Sequence, residues 1–279
     1  MSVTRLKCLS PAKLNLFLHV TGQRNNGYHD IQTLFQLLDW GDVMTFEKNS
    51  VPGIHLREHL PGVSKADNLI IRAAKLLLPK DAPGVTIGLE KNLPMGGGLG
   101  GGSSNAATTL LALNQLLELG YTTRQLMDIG LQLGADVPVF VRGRTAWAEG
   151  LGERLTSIDM PPRWYVVLRP ACHVSTADIF SAPELTRNTT PITMSAFFAG
   201  GVRNDLQNVV VERHPEVRYA LEMLEQSAPA MMTGSGACVF ASVETERAAQ
   251  AIADTAPAEM GAVVAEGVNQ RPAFLLSHD

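Results

Sequence analysis

The sequence predicts an α+β protein in two domains, and three observations carry that expectation. The chain has 279 residues, 45% of them hydrophobic. That is enough for more than one core, since domains usually hold roughly 100–200 residues. Its second half mixes helices and strands in an α+β order rather than a βαβ rhythm. Between the halves stands Pro161-Pro162, the best linker candidate. We therefore expect residues 1–160 and 161–279 as the two domains.

The elements follow in order. Residues 14–20 alternate: Leu14, Leu16, Leu18 and Val20 share one face, and Lys13, Asn15, Phe17 and His19 the other, which reads as a strand. Asn25-Asn26-Gly27 marks a tight turn, and 31–38 and 43–47 read as further strands. Asp67-Asn68 opens a helix that Pro79 ends, and 85–90 is a strand. After a glycine loop at 94–102, Ser103, Ser104 or Asn105 can cap a helix over 106–119, closed by Gly120. Thr122-Thr123 opens another helix ending near Gly134, and 145–149 with 153–158 form a hairpin around Gly150 and Gly152. Beyond the linker we expect strands at 164–168, 237–243 and 261–265 and helices at 215–226 and 246–253.

Composition narrows the function. The net charge is −4, a poor match to nucleic-acid binding, which usually needs a basic stripe. Cys8, Cys172 and Cys238 are odd in number and far apart, which reads as reduced thiols rather than a disulfide or zinc framework. The N-terminus lacks the apolar core of a signal peptide, and no run of about 18 apolar residues occurs. A cytoplasmic protein with no membrane, nucleic-acid or obligate protein partner is expected.

Residues 96–102 hold six glycines in seven positions. Glycine loses the most backbone entropy on folding, so such a run exists to bring main chain close to something or to reach positive φ. A helix follows directly, and free N–H groups at a helix start attract anions. The loop lacks the Gly-Lys-Ser/Thr of a P-loop. It matches G-x-G-x-x-G at Gly96, Gly98 and Gly101, but a second helix follows where a dinucleotide site needs a strand. Neither His-Arg-Asp nor Asp-Phe-Gly occurs, which excludes a protein kinase. A phosphate cradle of another kind remains, beside the plainer reading of a flexible linker.

Three segments in order, 11–16 (PAKLNL), 94–105 (PMGGGLGGGSSN) and 232–240 (MTGSGACVF), resemble the GHMP kinases, and the resemblance spans nearly the whole chain. Segments 27–33 (GYHDIQT), 67–70 (DNLI) and 134–140 (GADVPVF) look like the branch that acts on a cytidine-diphosphate-linked sugar alcohol. The resemblance implies a ribosomal-protein-S5-like α/β domain, a ferredoxin-like α+β domain and an active site in the cleft between them. It implies ATP-dependent phosphorylation of a substrate hydroxyl in non-mevalonate isoprenoid precursor synthesis, with Mg2+ bridging phosphate oxygens.

The resemblance also implies residue roles, each with a plainer reading beside it. Asp136 matches the catalytic base; otherwise it is a capping or turn aspartate. Lys13 matches the lysine paired with that base; otherwise it is an exposed charge. The ATP site maps onto Asn68, Lys91, Pro94, Met95, Gly96, Gly97, Gly98, Leu99, Gly100, Gly101, Gly102, Ser103 and Ser104. Asn68 also reads as a helix cap and Lys91 as a solvated charge. Asn15, Tyr28, His29 and Phe180 match a cytidine pocket, where Asn can hydrogen-bond cytosine and aromatic faces stack on it; the aromatics otherwise simply pack. Gly234, Ser235 and Gly236 resemble a turn that packs under the phosphate loop. The metal ligands are left unassigned, with Ser103 or Ser104 the candidates. Alternatives are a mevalonate- or homoserine-type kinase, a non-catalytic nucleotide-binding regulator on this fold, and a dinucleotide-dependent oxidoreductase.

Overall fold

The computed structural model describes residues 4–78 and 82–277. Two long strands organise it. β1 (Arg5–Gln23) and β2 (His29–Asn49) pair antiparallel along nearly their whole length, joined by the expected turn at Gly27. Register shifts interrupt β1 between Pro11 and Lys13 and between Asn15 and Leu18. The alternation read from the sequence therefore does not run straight through. Both faces of β1 are buried, Leu14 and Phe17 each at 0% exposure.

β3 (Ile54–Leu56) leads to α1 (Leu69–Leu77), capped by Asn68, whose Oδ1 accepts from the Ile70 amide at 2.9 Å. Pro79, expected to end α1, lies outside the described residues. β4 (Gly84–Glu90) precedes α2 (Gly101–Leu116). α3 (Thr123–Leu131) begins at a capping box between Thr122 and Gln125, and α4 (Val137–Arg142) follows. β5 (Ala146–Gly150) and β6 (Arg154–Ser157) form the expected hairpin.

The second half runs β7 (Trp164–Leu168), α5 (Thr176–Ser181), α6 (Met194–Ala199), α7 (Gln207–Arg213), α8 (Pro215–Glu225), β8 (Ala230–Met232), β9 (Val239–Val243), α9 (Glu246–Ala253), β10 (Val263–Val268) and β11 (Leu275–Ser277). The architecture is α+β. Strand order is β11-β1-β2-β10-β7-β9-β8, and β4 and β5 also pair with β2. One edge of β2 is thus shared: β5 takes residues 31–35, β10 takes Leu37 and Leu38, and β4 takes residues 43–49. β11 returns to pair with the start of β1.

One core packs α1 to α4 on the sheet. A second lies among α5, α7, α8 and the strands of the second half, and includes Leu18 and Val20 of β1. A third, with Ala12, Leu14, Leu38, Leu99, Val167 and Cys238, joins them. Among the described residues no helix is long and apolar enough to cross a membrane.

The start of α2 corrects the expectation. The helix begins at Gly101, inside the glycine run, and Gly100 occupies the cap position at φ 74°. The Ser104 amide donates to the Gly100 carbonyl at 2.8 Å, closing the first turn. Ser104 and Asn105 do not cap because their side chains point inward, where the Ser10 hydroxyl lies 2.9 Å from Ser104 Oγ and 2.7 Å from Asn105 Oδ1. Ser104 therefore faces the core, away from the cleft that Ser103 lines.

Candidate active site

A cleft of about 1300 Å³ runs from the glycine loop to Tyr28, His29 and Phe180. Ordinary ligand pockets hold roughly 300–1000 Å³, so this one has room for two substrates end to end.

The loop forms one end. Gly96, Gly98 and Gly100 have φ of 70°, 75° and 74°, alternating with residues of negative φ in the manner of an anion nest. Two of these positions could not carry a side chain. A Cβ at Gly98 would stand 2.2 Å from the Thr233 carbonyl oxygen, and one at Gly100 would meet the Phe140 ring at 2.8 Å. The loop's carbonyls are engaged inward: Gly97 accepts from the Cys238 amide, Gly98 from Lys13 Nζ and Leu99 from the Lys13 amide, at 3.2, 2.9 and 3.0 Å. Among the described residues, no amide from Gly96 to Ser103 donates a hydrogen bond. What remains for a ligand is a row of N–H groups running into the positive end of α2, about 24 Å long. The motif at 232–240 packs beneath this loop as expected.

Lys13 sits beside the loop, 3% exposed, its Nζ 3.5 Å from Asp136 Oδ2 and 2.5 Å from Asn15 Oδ1. Burial pushes the Lys13 ammonium below its ordinary range, and the Asp136 charge pulls it back up. Asp136 occupies the cap position of α4, but its side chain makes no capping hydrogen bond. The plainer reading of Asp136 thus fails on geometry: a third of its side chain faces the cleft at 32% exposure, with Lys13 as its ion partner.

Lys91 is not a solvated charge. Its Nζ donates to both Asp42 oxygens at 3.1 and 2.9 Å and to the Leu93 carbonyl at 2.5 Å. Asp42, fully buried, also accepts from the Asn92 and Leu93 amides and from Asn105 Nδ2. This network braces the first turn of α2 from below: a Cβ on Gly101 would lie 3.5 Å from Lys91 Nζ. Asp42 escaped sequence reading because a lone acid after a strand carries no motif. Asn68, Pro94 and Met95 line the same end of the cleft.

At the far end His29 is buried and stacks obliquely on Phe180, ring centroids 5.1 Å apart and planes 33° apart. Arg187 Nε donates to His29 Nε2 at 3.1 Å, and its other nitrogens donate to the Phe180, Ala182 and Leu185 carbonyls. Arg187 thereby ties the loop after α5 to the start of β2. Burial, and then the Arg187 charge, hold the His29 imidazole below its usual pKa. Sequence reading missed Arg187, since its partner is 158 positions away. Asn15 has a structural part as well. Its Oδ1 accepts from Lys13 and its Nδ2 donates to Thr33 Oγ1 at 2.9 Å, so the amide orients the lysine and keeps one further donor and acceptor site in the cleft it lines. Tyr28 stands at the rim, 63% exposed.

A loop of unpaired main-chain amides, a lysine–carboxylate pair and the His29–Phe180 wall share one cleft, an arrangement that fits a small-molecule kinase. Family models agree: GHMP kinases N terminal domain matches residues 68–144 and GHMP kinases C terminal matches residues 192–262. The chain belongs to the GHMP kinases. Within that family it is similar to proteins named 4-diphosphocytidyl-2-C-methyl-D-erythritol kinase. The one from Marinobacter nauticus is 54% identical over 277 residues, covering 97% of this chain and 96% of that protein. The one from Aromatoleum aromaticum is 52% identical, covering 97% and 96%. A crystal structure of 4-(cytidine 5'-diphospho)-2C-methyl-D-erythritol kinase matches with TM-score 0.83 at 34% identity, over 94% of this chain and 99% of that one. The mevalonate kinase of Methanococcus jannaschii, TM-score 0.63 at 14% identity over 95% and 98%, shares the fold.

Proposed function

We propose that this protein transfers the γ-phosphoryl group of ATP to the 2-hydroxyl of 4-diphosphocytidyl-2-C-methyl-D-erythritol, giving the 2-phosphate and ADP in non-mevalonate isoprenoid precursor synthesis. One observation carries the reading. The Lys13–Asp136 pair stands in the same cleft as a row of free amides and the braced His29–Phe180 pair. Residues 1–160 supply the ATP cradle, and residues 161–279 add Phe180 and Arg187 to the substrate end.

In this reading the amides of residues 96–103 and the α2 dipole hold the triphosphate. Asp136 accepts the proton of the attacking hydroxyl. Lys13, held by Asn15 and the Gly98 carbonyl, balances negative charge as it develops. His29 and Phe180 form the wall against which cytosine stacks, with Tyr28 at its rim. A magnesium ion fits the donors present. Ser103 Oγ lies 3.8 Å from where a Gly134 Cβ would stand, two residues before Asp136, so a hydroxyl and a carboxylate face the same stretch of cleft. Both are hard oxygen ligands of the kind the ion prefers. The chemistry it would supply there is neutralisation of phosphate charge.

A kinase assay over a panel of alcohols tests the assignment. The cytidine compound should be preferred by about 10⁴-fold or more over mevalonate and homoserine, which leave the base pocket empty and its polar groups unpaired. Turnover of either small alcohol, with none of the cytidine compound, overturns it.

A further inference from the structure

Away from the cleft, three side chains of different chemistry meet where the proposed reaction uses none of them. Cys172, His214 and Glu216 each bring one ligand atom into a group whose members all lie within 4.8 Å of one another. Their frame is well defined. Cys172 lies in a turn after β7, its amide donating to the Pro170 carbonyl at 2.9 Å. His214 is the joint between α7 and α8: its amide donates to the Val210 carbonyl at 2.8 Å, and its own carbonyl accepts from Val217 at 3.0 Å. Glu216 lies in the first turn of α8, just after Pro215. Cys172 and His214 are half-buried and Glu216 is exposed, so the group opens to solvent on one side.

The donor set selects the ion. Magnesium and calcium take oxygen ligands throughout. A thiolate with an imidazole and one carboxylate suits Zn2+, and three protein ligands leave its fourth position to water. The other two thiols do not compete. Cys8 and Cys238 are buried and, among the described residues, belong to no such group of ligand atoms.

We propose that Cys172, His214 and Glu216 form a zinc site, distinct from the kinase cleft. On loading, the Cys172 thiol gives its proton to solvent and its sulfur bonds the ion; His214 binds as the neutral ring and Glu216 as the carboxylate. The site has a bearing on the cleft through the chain itself. Cys172 is followed by His173, whose Nδ1 stands 3.1 Å from where a Cβ on Gly96 would be. A bound ion therefore clips the segment lying against the glycine loop to the α7–α8 joint.

The test uses metal-free full-length protein titrated with Zn2+ in a calorimeter and with Co2+ in a spectrophotometer. One equivalent of zinc should bind with release of a proton, and cobalt should give a near-ultraviolet thiolate-to-metal charge-transfer band. Cys172→Ser should abolish the band and weaken zinc by at least roughly 10–100-fold, a cost seen even for outer-shell partners. His214→Asn should do the same. If the histidine variant fails to fold, Cys172→Ser, which exchanges one atom, decides alone. A wild-type protein without the band, or a band that survives Cys172→Ser, overturns the proposal. Neither readout involves ATP or turnover, so the result is independent of the kinase reading.

Discussion

The two ends of the cleft are made of different material. At the loop end the chain presents main chain: carbonyls turned inward, amides left free, and glycines because neighbouring atoms occupy the space a Cβ would take. At the far end it presents side chains, His29 and Phe180, held by the Arg187 fork. Main-chain recognition ignores side-chain identity but tolerates no added atom. Side-chain recognition tolerates added atoms at the rim but depends on which atoms are held where. The two ends should therefore fail in different ways when mutated.

Asp136 stands between them and should show the largest effect. Asp136→Asn keeps the size and removes the proton acceptor, so kcat should fall by roughly 10²–10⁴-fold while ATP affinity is kept. Steady-state and ATP-binding measurements check it, and near-normal turnover would take Asp136 out of the mechanism.

A pair of glycine variants sharpens the view of the loop end. Gly98→Ala puts a Cβ 2.2 Å from the Thr233 oxygen at a φ of 75°, so it should cost about 2–5 kcal/mol of stability. Gly101→Ala meets no protein atom closer than 3.4 Å and lies in a helix, so it should gain about 0.4–1 kcal/mol of stability. Equal melting temperatures for the two would show that steric packing does not explain the run.

The far end should respond more gently and with a pH signature. Phe180→Ala and Arg187→Met should each raise KM for the cytidine substrate by an amount equal to about 1–3 kcal/mol, with KM for ATP unmoved. The imidazole of His29 must be neutral for Nε2 to accept from Arg187, and its pKa lies below the ordinary 6.5. Substrate affinity should stay flat down through that pH and fall only on its acid side. In the same window the unfolded chain binds the proton more readily, so stability also declines as pH falls. Arg187→Met removes the second cause of the shift, so the affinity decline should move back toward 6.5 and the stability decline, set by the gap between folded and unfolded pKa, should shrink. An unmoved acid limb would reduce Arg187 to a loop brace.

This contrast also governs what the sequence could reveal. The loop end was legible because its signal is local: six glycines in seven positions ahead of a helix. The reason for the glycines was not legible, because Thr233 and Phe140, which crowd them, are distant in sequence. The start of α2 was misplaced because Ser104 and Asn105, good caps in isolation, have buried partners in Ser10 and Asp42. Short α5 and α6 went unread although Ser175 and Thr193 cap them, since six residues show no periodicity. Family resemblance pointed to Asp136 and Lys13, yet only coordinates separate Asp136 from a capping aspartate and show Asn15 bonded to the lysine.

The length of β1 and β2 has a mechanical consequence. A kinase that closes over two substrates by swivelling one half against the other needs a compliant joint. Here strands of 19 and 21 residues run as a continuous beam through both halves, and β10 is laced to β2 on one side and β7 on the other. Bending such a beam strains the ladder bonds between its register shifts, so any give is concentrated at Pro11 to Lys13, Asn15 to Leu18 and Val20 to Gly22. At the rim, the short connection between β1 and β2 carries Tyr28 out into solvent beside the cleft.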